Sequence, residues 1–115
     1  MLKRMLLVIA GLAFTQGAAH ASQSNAGYVT DIWTANNGAV IFNIDAGRAN
    51  AAPSCQGSTI PNRFAVDGST VAGQAMVSTL LTAHAQHKKV IAMGASACGI
   101  WSDTETVWIL YVPVS

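Results

Sequence analysis

Charge is what this chain has least of. Only 10% of its 115 residues are charged, against roughly 25% in an ordinary soluble domain, and no run of like charge occurs. Binding to a phosphate backbone needs clustered Lys and Arg, and binding to anionic lipid needs a polybasic stretch. With neither present, no nucleic-acid partner is expected. Cysteine is just as scarce, at two residues, too few to build a thiolate zinc site. Catalytic signatures are missing as well. There is no Gly-x-Ser-x-Gly elbow, and Gly94-Ala95-Ser96-Ala97 reads as the end of a buried strand. No glycine-rich phosphate loop is present, since Gly68 and Gly73 do not match one. No cofactor is expected.

Long apolar runs are absent too. The first one, Leu6 to Phe14, is about half the ~20 residues that a helix needs to cross a bilayer. Its setting explains it. Lys3 and Arg4 precede it, and Ala19-His20-Ala21 follows as a small-x-small cleavage site. Positive start, short apolar core and small-residue site are the three parts of a secretory signal peptide. Residues 1–21 are therefore read as a leader and 22–115 as a single domain that works outside the cytoplasm, periplasmic or secreted. No cysteine directly follows the apolar core, which argues against a lipid anchor. Beyond Ala21 four basic residues stand against five acidic ones, for a net charge of −1.

Export places Cys55 and Cys98 in an oxidising compartment, where disulfides persist. Two cysteines allow only one intramolecular pairing. Neither has a basic neighbour in sequence that would mark it as a reactive thiol.

Residues 22–26 are polar and expected to fray. Gly27 to Thr34 carries Tyr28, Val29, Ile32 and Trp33, all strand formers. Asn36-Asn37-Gly38 is a hairpin signal. Val40, Phe42 and Ile44 then alternate with polar Asn43 and Asp45, the pattern of a half-buried strand. Residues 46–61 form a loop rich in Gly, Ala, Asn, Ser and Pro that carries Cys55. Arg63 to Asp67 is a short strand, and Asp67-Gly68-Ser69-Thr70 a turn in which Ser69 or Thr70 caps a helix. From Val71 to about His87, Met76, Val77, Leu80, Leu81 and His84 share one helical face. Lys88 and Lys89 suit the negative end of the helix dipole. Val90 to Ala97 reads as a buried strand whose small residues admit close packing. Cys98 to Thr104 is a turn with Trp101 near its tip. Glu105 to Val112 is the last strand, with Trp108, Leu110 and Val112 on one face and Val107, Ile109 and Tyr111 on the other.

The order is β-β-β-α-β-β, mainly β, which is the order of an OB-fold: a five-stranded, partly open barrel with one helix between strands three and four. A plain α+β sandwich is the alternative. The segments GYVTDIW, GAVIFNID, PSC before FAVD, STLLTAHA, KKVIAMG and the C-x-x-W turn before ETVWILYV together resemble the small secreted bacterial OB-fold proteins similar to the binding subunits of AB-type toxins. The resemblance covers nearly all of residues 22–115 and rests on a pattern of elements and cysteines. It implies a ring of five copies that binds cell-surface glycans. It supplies no sugar-binding motif that carries over residue by residue.

Three functional classes remain. The first is a non-enzymatic binding module for a cell-surface glycan or for a secreted or periplasmic protein, with self-association as a homo-oligomer. Its candidate surface is the 46–62 loop beside the 99–104 turn, with Trp101, Ser102, Asp103 and Arg63 as binding residues. A tryptophan amid Gly99, Ser102 and Asp103 sits in turn composition, where it either meets a ligand or folds over the disulfide. The other aromatics are expected in the core. The second class is a small hydrolase. Asp103 and Glu105 form a carboxylate pair at the start of a strand, although both positions suit solvated surface. His84 and His87, at i and i+3, could share a metal, but zinc wants three or four ligands. The third class is a structural or inhibitory secreted protein with no small-molecule ligand.

Overall fold

The structure is a computed structural model that describes residues 22–114; the leader assigned to 1–21 lies outside them. Five strands and one helix follow the expected order: β1 (Val29–Thr34), β2 (Ala39–Ile44), β3 (Arg63–Asp67), α1 (Val71–Ala85), β4 (Ile91–Gly94) and β5 (Glu105–Tyr111). All five strands form one mixed sheet in the order β1-β2-β3-β5-β4. β3 and β5 run parallel, with Phe64 opposite Glu105 and Ala65 opposite Thr106. The other neighbouring strands are antiparallel.

β1 and β4 are the edges of this ladder, and the stretch before β1 covers the edge of β4. Isolated bridges join Gln23 to Met93 and Gly27 to Val90. Ser24 N donates to Ala92 O at 2.9 Å and Gly94 N to Ser22 O at 2.7 Å, while Ala92 N donates back to Ser24 Oγ at 2.9 Å. Ser22 and Ser24 are buried, so the expectation of a frayed start is corrected. The free N–H and C=O groups of a strand edge need partners, and this polar segment supplies them.

At the β1–β2 hairpin only Gly38 takes a positive φ, +88°. Asn37 contributes through its side chain, whose Oδ1 accepts from Ala39 N at 3.0 Å. β2 was expected to be half-buried and is instead buried on both faces. Val40, Phe42 and Ile44 join Val29, Phe64, Val66, Leu80, Val90, Ala92 and Val107 in the main core. Ala39 and Ile41 face the other way and form a second cluster with Ala65, covered by Ala35, Ile100 and Trp101. A polar face was inferred from Asn43 and Asp45. Asn43 is half-buried and Asp45 exposed, but the Ala39 and Ile41 part of that face becomes interior because the 99–104 turn folds back across it, a contact that alternation along one strand does not encode.

Thr70 caps α1, its Oγ1 accepting from Gly73 N at 2.9 Å. A side chain on Gly73 would overlap the Asp67 carbonyl, so the first turn of α1 rests directly on the end of β3. This close approach rotates the helix from the expected face. Gly73, Leu80 and Ala83 are buried and Met76 and Val77 partly so, whereas Leu81 is exposed.

β4 is shorter than expected and ends at Gly94. On β5, Ile109 and Val107 pair with the adjacent residues Met93 and Gly94, so Trp108 bulges out of register. A bulge inverts the alternation beyond it. Val107 and Leu110 therefore both pack on the main core, and Trp108 stands 62% exposed. With Trp33 and Tyr111 also exposed and Tyr28 only half-buried, the expectation that the aromatics other than Trp101 lie in the core is corrected for both tryptophans and both tyrosines; the core rings are Phe42 and Phe64.

Candidate functional site

The site rests on a buried polar network that the sequence did not announce. Glu105 opens β5, and its side chain is fully buried, with Arg48 beside it at 7% exposure. Arg48 Nη1 donates to Glu105 Oε1 at 2.6 Å and to Ser22 Oγ at 2.7 Å. Ser22 Oγ donates in turn to the same carboxylate oxygen, and Ser96 N donates to Oε2 at 2.9 Å. The rest of the guanidinium donates to Pro61 O and, at 3.2 Å, to Arg63 O, and it lies 4.2 Å above the Phe64 ring. A side chain at Gly94 would overlap the Glu105 carboxylate. Gln56 completes the arrangement. Its Oε1 accepts from Glu105 N at 2.7 Å and its Nε2 donates to Ile60 O at 2.6 Å. A buried ion pair tolerates its desolvation only when the remaining donors and acceptors are also matched. Here they are, and no described buried side-chain polar atom lacks a partner. The consequence is rigidity: the 46–62 loop is pinned to the start of β5.

On that base sits the exposed face. Arg63 Nη2 donates to Asp103 Oδ1 at 2.6 Å and Arg63 Nε to Thr104 Oγ1 at 2.8 Å. Asp103 is half-exposed and Arg63 mostly covered, so the carboxylate can accept further donors from solvent. The guanidinium lies 5.7 Å from the Trp33 ring centre, within cation–π range. Trp33 meets Trp101 edge to face at 5.3 Å. Three ties hold the turn in place. Gly57 N donates to Asp103 O at 2.9 Å, Asn37 Nδ2 donates to Ile100 O at 3.3 Å, and the Cys55–Cys98 disulfide joins the two loops. The result is a preorganised surface of two aromatic rings, one guanidinium and one solvent-facing carboxylate.

Arg63, Asp103 and Trp101 thus come together on one face, with Trp33 between Arg63 and Trp101. Ser102 is exposed at the tip of the same turn. Trp101 is half-buried over Ala39, Ile41 and Ala65, so it belongs both to the second core and to the surface. Asp103 and Glu105 do not act as a solvated pair: one faces water with Arg63, and the other is interior with Arg48. The two histidines part as well. His84 Nδ1 lies 3.1 Å from Val29 O, and the His87 ring stacks on Tyr28 with centres 4.0 Å apart. The described residues contain no group of three or more metal-ligating side chains, and none of their helices is long and apolar enough to cross a membrane.

Sequence reasoning missed Trp33, Arg48, Gln56 and Ser22. Arg48 carried the one usable signal, a cation isolated in a polar loop of a charge-poor chain. Compared with family models, with curated proteins and with solved structures, the chain matches none.

Proposed function

We propose that residues 22–115 form an exported, non-enzymatic binding module that recognises glycans through the Trp33–Trp101–Arg63–Asp103 face. One observation carries this reading. Two tryptophans, a guanidinium and a half-exposed carboxylate are held on one rigid surface by a buried network and a disulfide. Sugars present apolar C–H faces beside hydroxyl groups. Aromatic rings suit the first, and a carboxylate with a neighbouring guanidinium suits the second. The architecture we assign is OB-like. The strand order, the parallel β3–β5 pair and the bridges from 22–27 to β4 support a long first strand that bends to meet both β2 and β4. The disulfide agrees with export. Likeness to toxin binding subunits, and the homo-oligomer that it implies, belong to the same proposal.

The test is a glycan array on the purified protein beside Trp33→Ala and Asp103→Ala, with near-ultraviolet circular dichroism to confirm that each variant folds. Saturable binding to a defined set of glycans, lost in both folded variants, is the expected result. A silent array, or binding that survives both substitutions, would refute the assignment.

A further inference from the structure

A second concavity, which shares no lining residue with the tryptophan face, lies between the C-terminal half of α1, the stretch around Tyr28 and residues 112–114. It is a cleft of about 1100 Å³, and its walls include Tyr28, Thr82, Gln86, Lys88, Lys89 and Pro113. Its distinguishing feature is charge. Of the four basic residues beyond Ala21, Arg48 is paired with Glu105 and Arg63 with Asp103. Lys88 and Lys89 are the remaining two, and among the described residues neither has a carboxylate partner. Among the described residues no carboxylate lines the cleft. Asp45 accepts from Tyr28 backbone N at 2.8 Å. Asp31 accepts from Asn43 and Asp67 from Ser69.

Among the described residues the lysine side chains donate no hydrogen bond to the helix end either. Three of the last four carbonyls of α1 accept from backbone donors: Thr82 O from Gln86 N at 3.0 Å, His84 O from His87 N at 3.2 Å and Ala83 O from Lys88 N at 2.8 Å. His87 adopts φ +51°, which turns the chain out of the helix and lays its ring parallel to Tyr28. Lys89 Nζ lies 5.6 Å from the centre of that same Tyr28 ring. One wall is therefore a fixed aromatic and cationic surface, Thr82 and Gln86 add hydrogen-bonding groups, and Val112 to Val114 form an apolar wall.

We propose that this cleft binds a small organic anion, its anionic group held by Lys88 and Lys89 and its apolar body against residues 112–114. The site is independent of the glycan reading. The probe is 1-anilinonaphthalene-8-sulfonate, an apolar ring system with one sulfonate, titrated by fluorescence against the wild-type chain, Lys88→Gln/Lys89→Gln, Thr82→Trp and Trp33→Ala. All four positions are exposed, and thermal melting confirms the fold of each variant. One saturable site is expected, weakened about fivefold to tenfold by the double lysine substitution, the scale of two partly solvated charge contacts. Thr82→Trp, which fills the cleft, weakens it likewise, and Trp33→Ala leaves it unchanged. The uncharged analogue N-phenyl-1-naphthylamine binds the wild type and the double lysine variant alike. Wild-type sulfonate affinity in either cleft variant, equal weakening of the uncharged analogue, or no saturable binding at all overturns the proposal.

Discussion

Replacing Arg48 by methionine tests the physical account of this fold most sharply. The substitution keeps an apolar stem against Phe64 and deletes the guanidinium. Glu105 then keeps Ser22 Oγ and Ser96 N as donors but loses its counter-charge at 2.6 Å. Pro61 O and Arg63 O lose a donor as well. Leaving one member of a buried ion pair unmatched costs about 3–5 kcal/mol. A domain of this size has a total stability of roughly 5–15 kcal/mol. With a urea slope of about 1.5 kcal/mol per molar, the unfolding midpoint should fall by about 2–3 M. Urea titration followed by tryptophan fluorescence, with the disulfide intact, measures it. The double variant Arg48→Met/Glu105→Gln supplies the control, because a neutral amide of the same volume accepts from Ser96 N through its oxygen and donates through Nε2 to Ser22 Oγ, which the loss of Arg48 leaves free to accept. It should recover more than half of the loss. A single variant within about 1 kcal/mol of wild type would refute the reasoning, since the penalty rests on an unpaired buried charge. So would a double variant no more stable than the single one.

Gly94→Ala should destabilise by about 1–3 kcal/mol, the usual cost of overpacking, because the new methyl group overlaps a carboxylate that Arg48, Ser22 and Ser96 hold in place; chemical denaturation reads the change. Replacing Cys55 and Cys98 together by alanine opens a link spanning 43 residues, and the chain-entropy relation puts the loss at about 4 kcal/mol. Differential scanning calorimetry should show the melting temperature of that variant well below the wild type's. Thr70→Ala removes the cap on Gly73 N and should cost about 1 kcal/mol, measured as a lower urea midpoint with an unchanged slope.

Local signals in the chain were strong where one element's own residues decide its shape. The order of the six elements, a helix cap at Ser69 or Thr70 and the single available cysteine pairing could all be read before any coordinate. Each follows from short-range chemistry: strand-forming residues bounded by turns, a hydroxyl able to accept from a first-turn N–H, and two thiols with no other partners. The candidate surface was partly legible for the same reason. Trp101, Ser102 and Asp103 lie in one turn, and Arg63 closes the loop that carries Cys55.

What remained hidden depends on residues far apart in sequence. Ser22 and Glu105 lie 83 positions apart, and Arg48 and Glu105 lie 57 apart. Nothing in the neighbourhood of Glu105 distinguishes a buried acid from a solvated one; only the parallel β3–β5 pairing brings Arg48 above Phe64 and beside it. The bulge at Trp108 is likewise set by the register of β4, and the second buried face of β2 by a turn folding over from sixty residues away. The sequence by itself thus determined the elements, their order and the covalent link, because these depend on neighbours along the chain. The tertiary structure alone decided which charges are interior, which tryptophans face water and which lysines stand unpaired, because burial and ion pairing arise only when distant segments exclude water together.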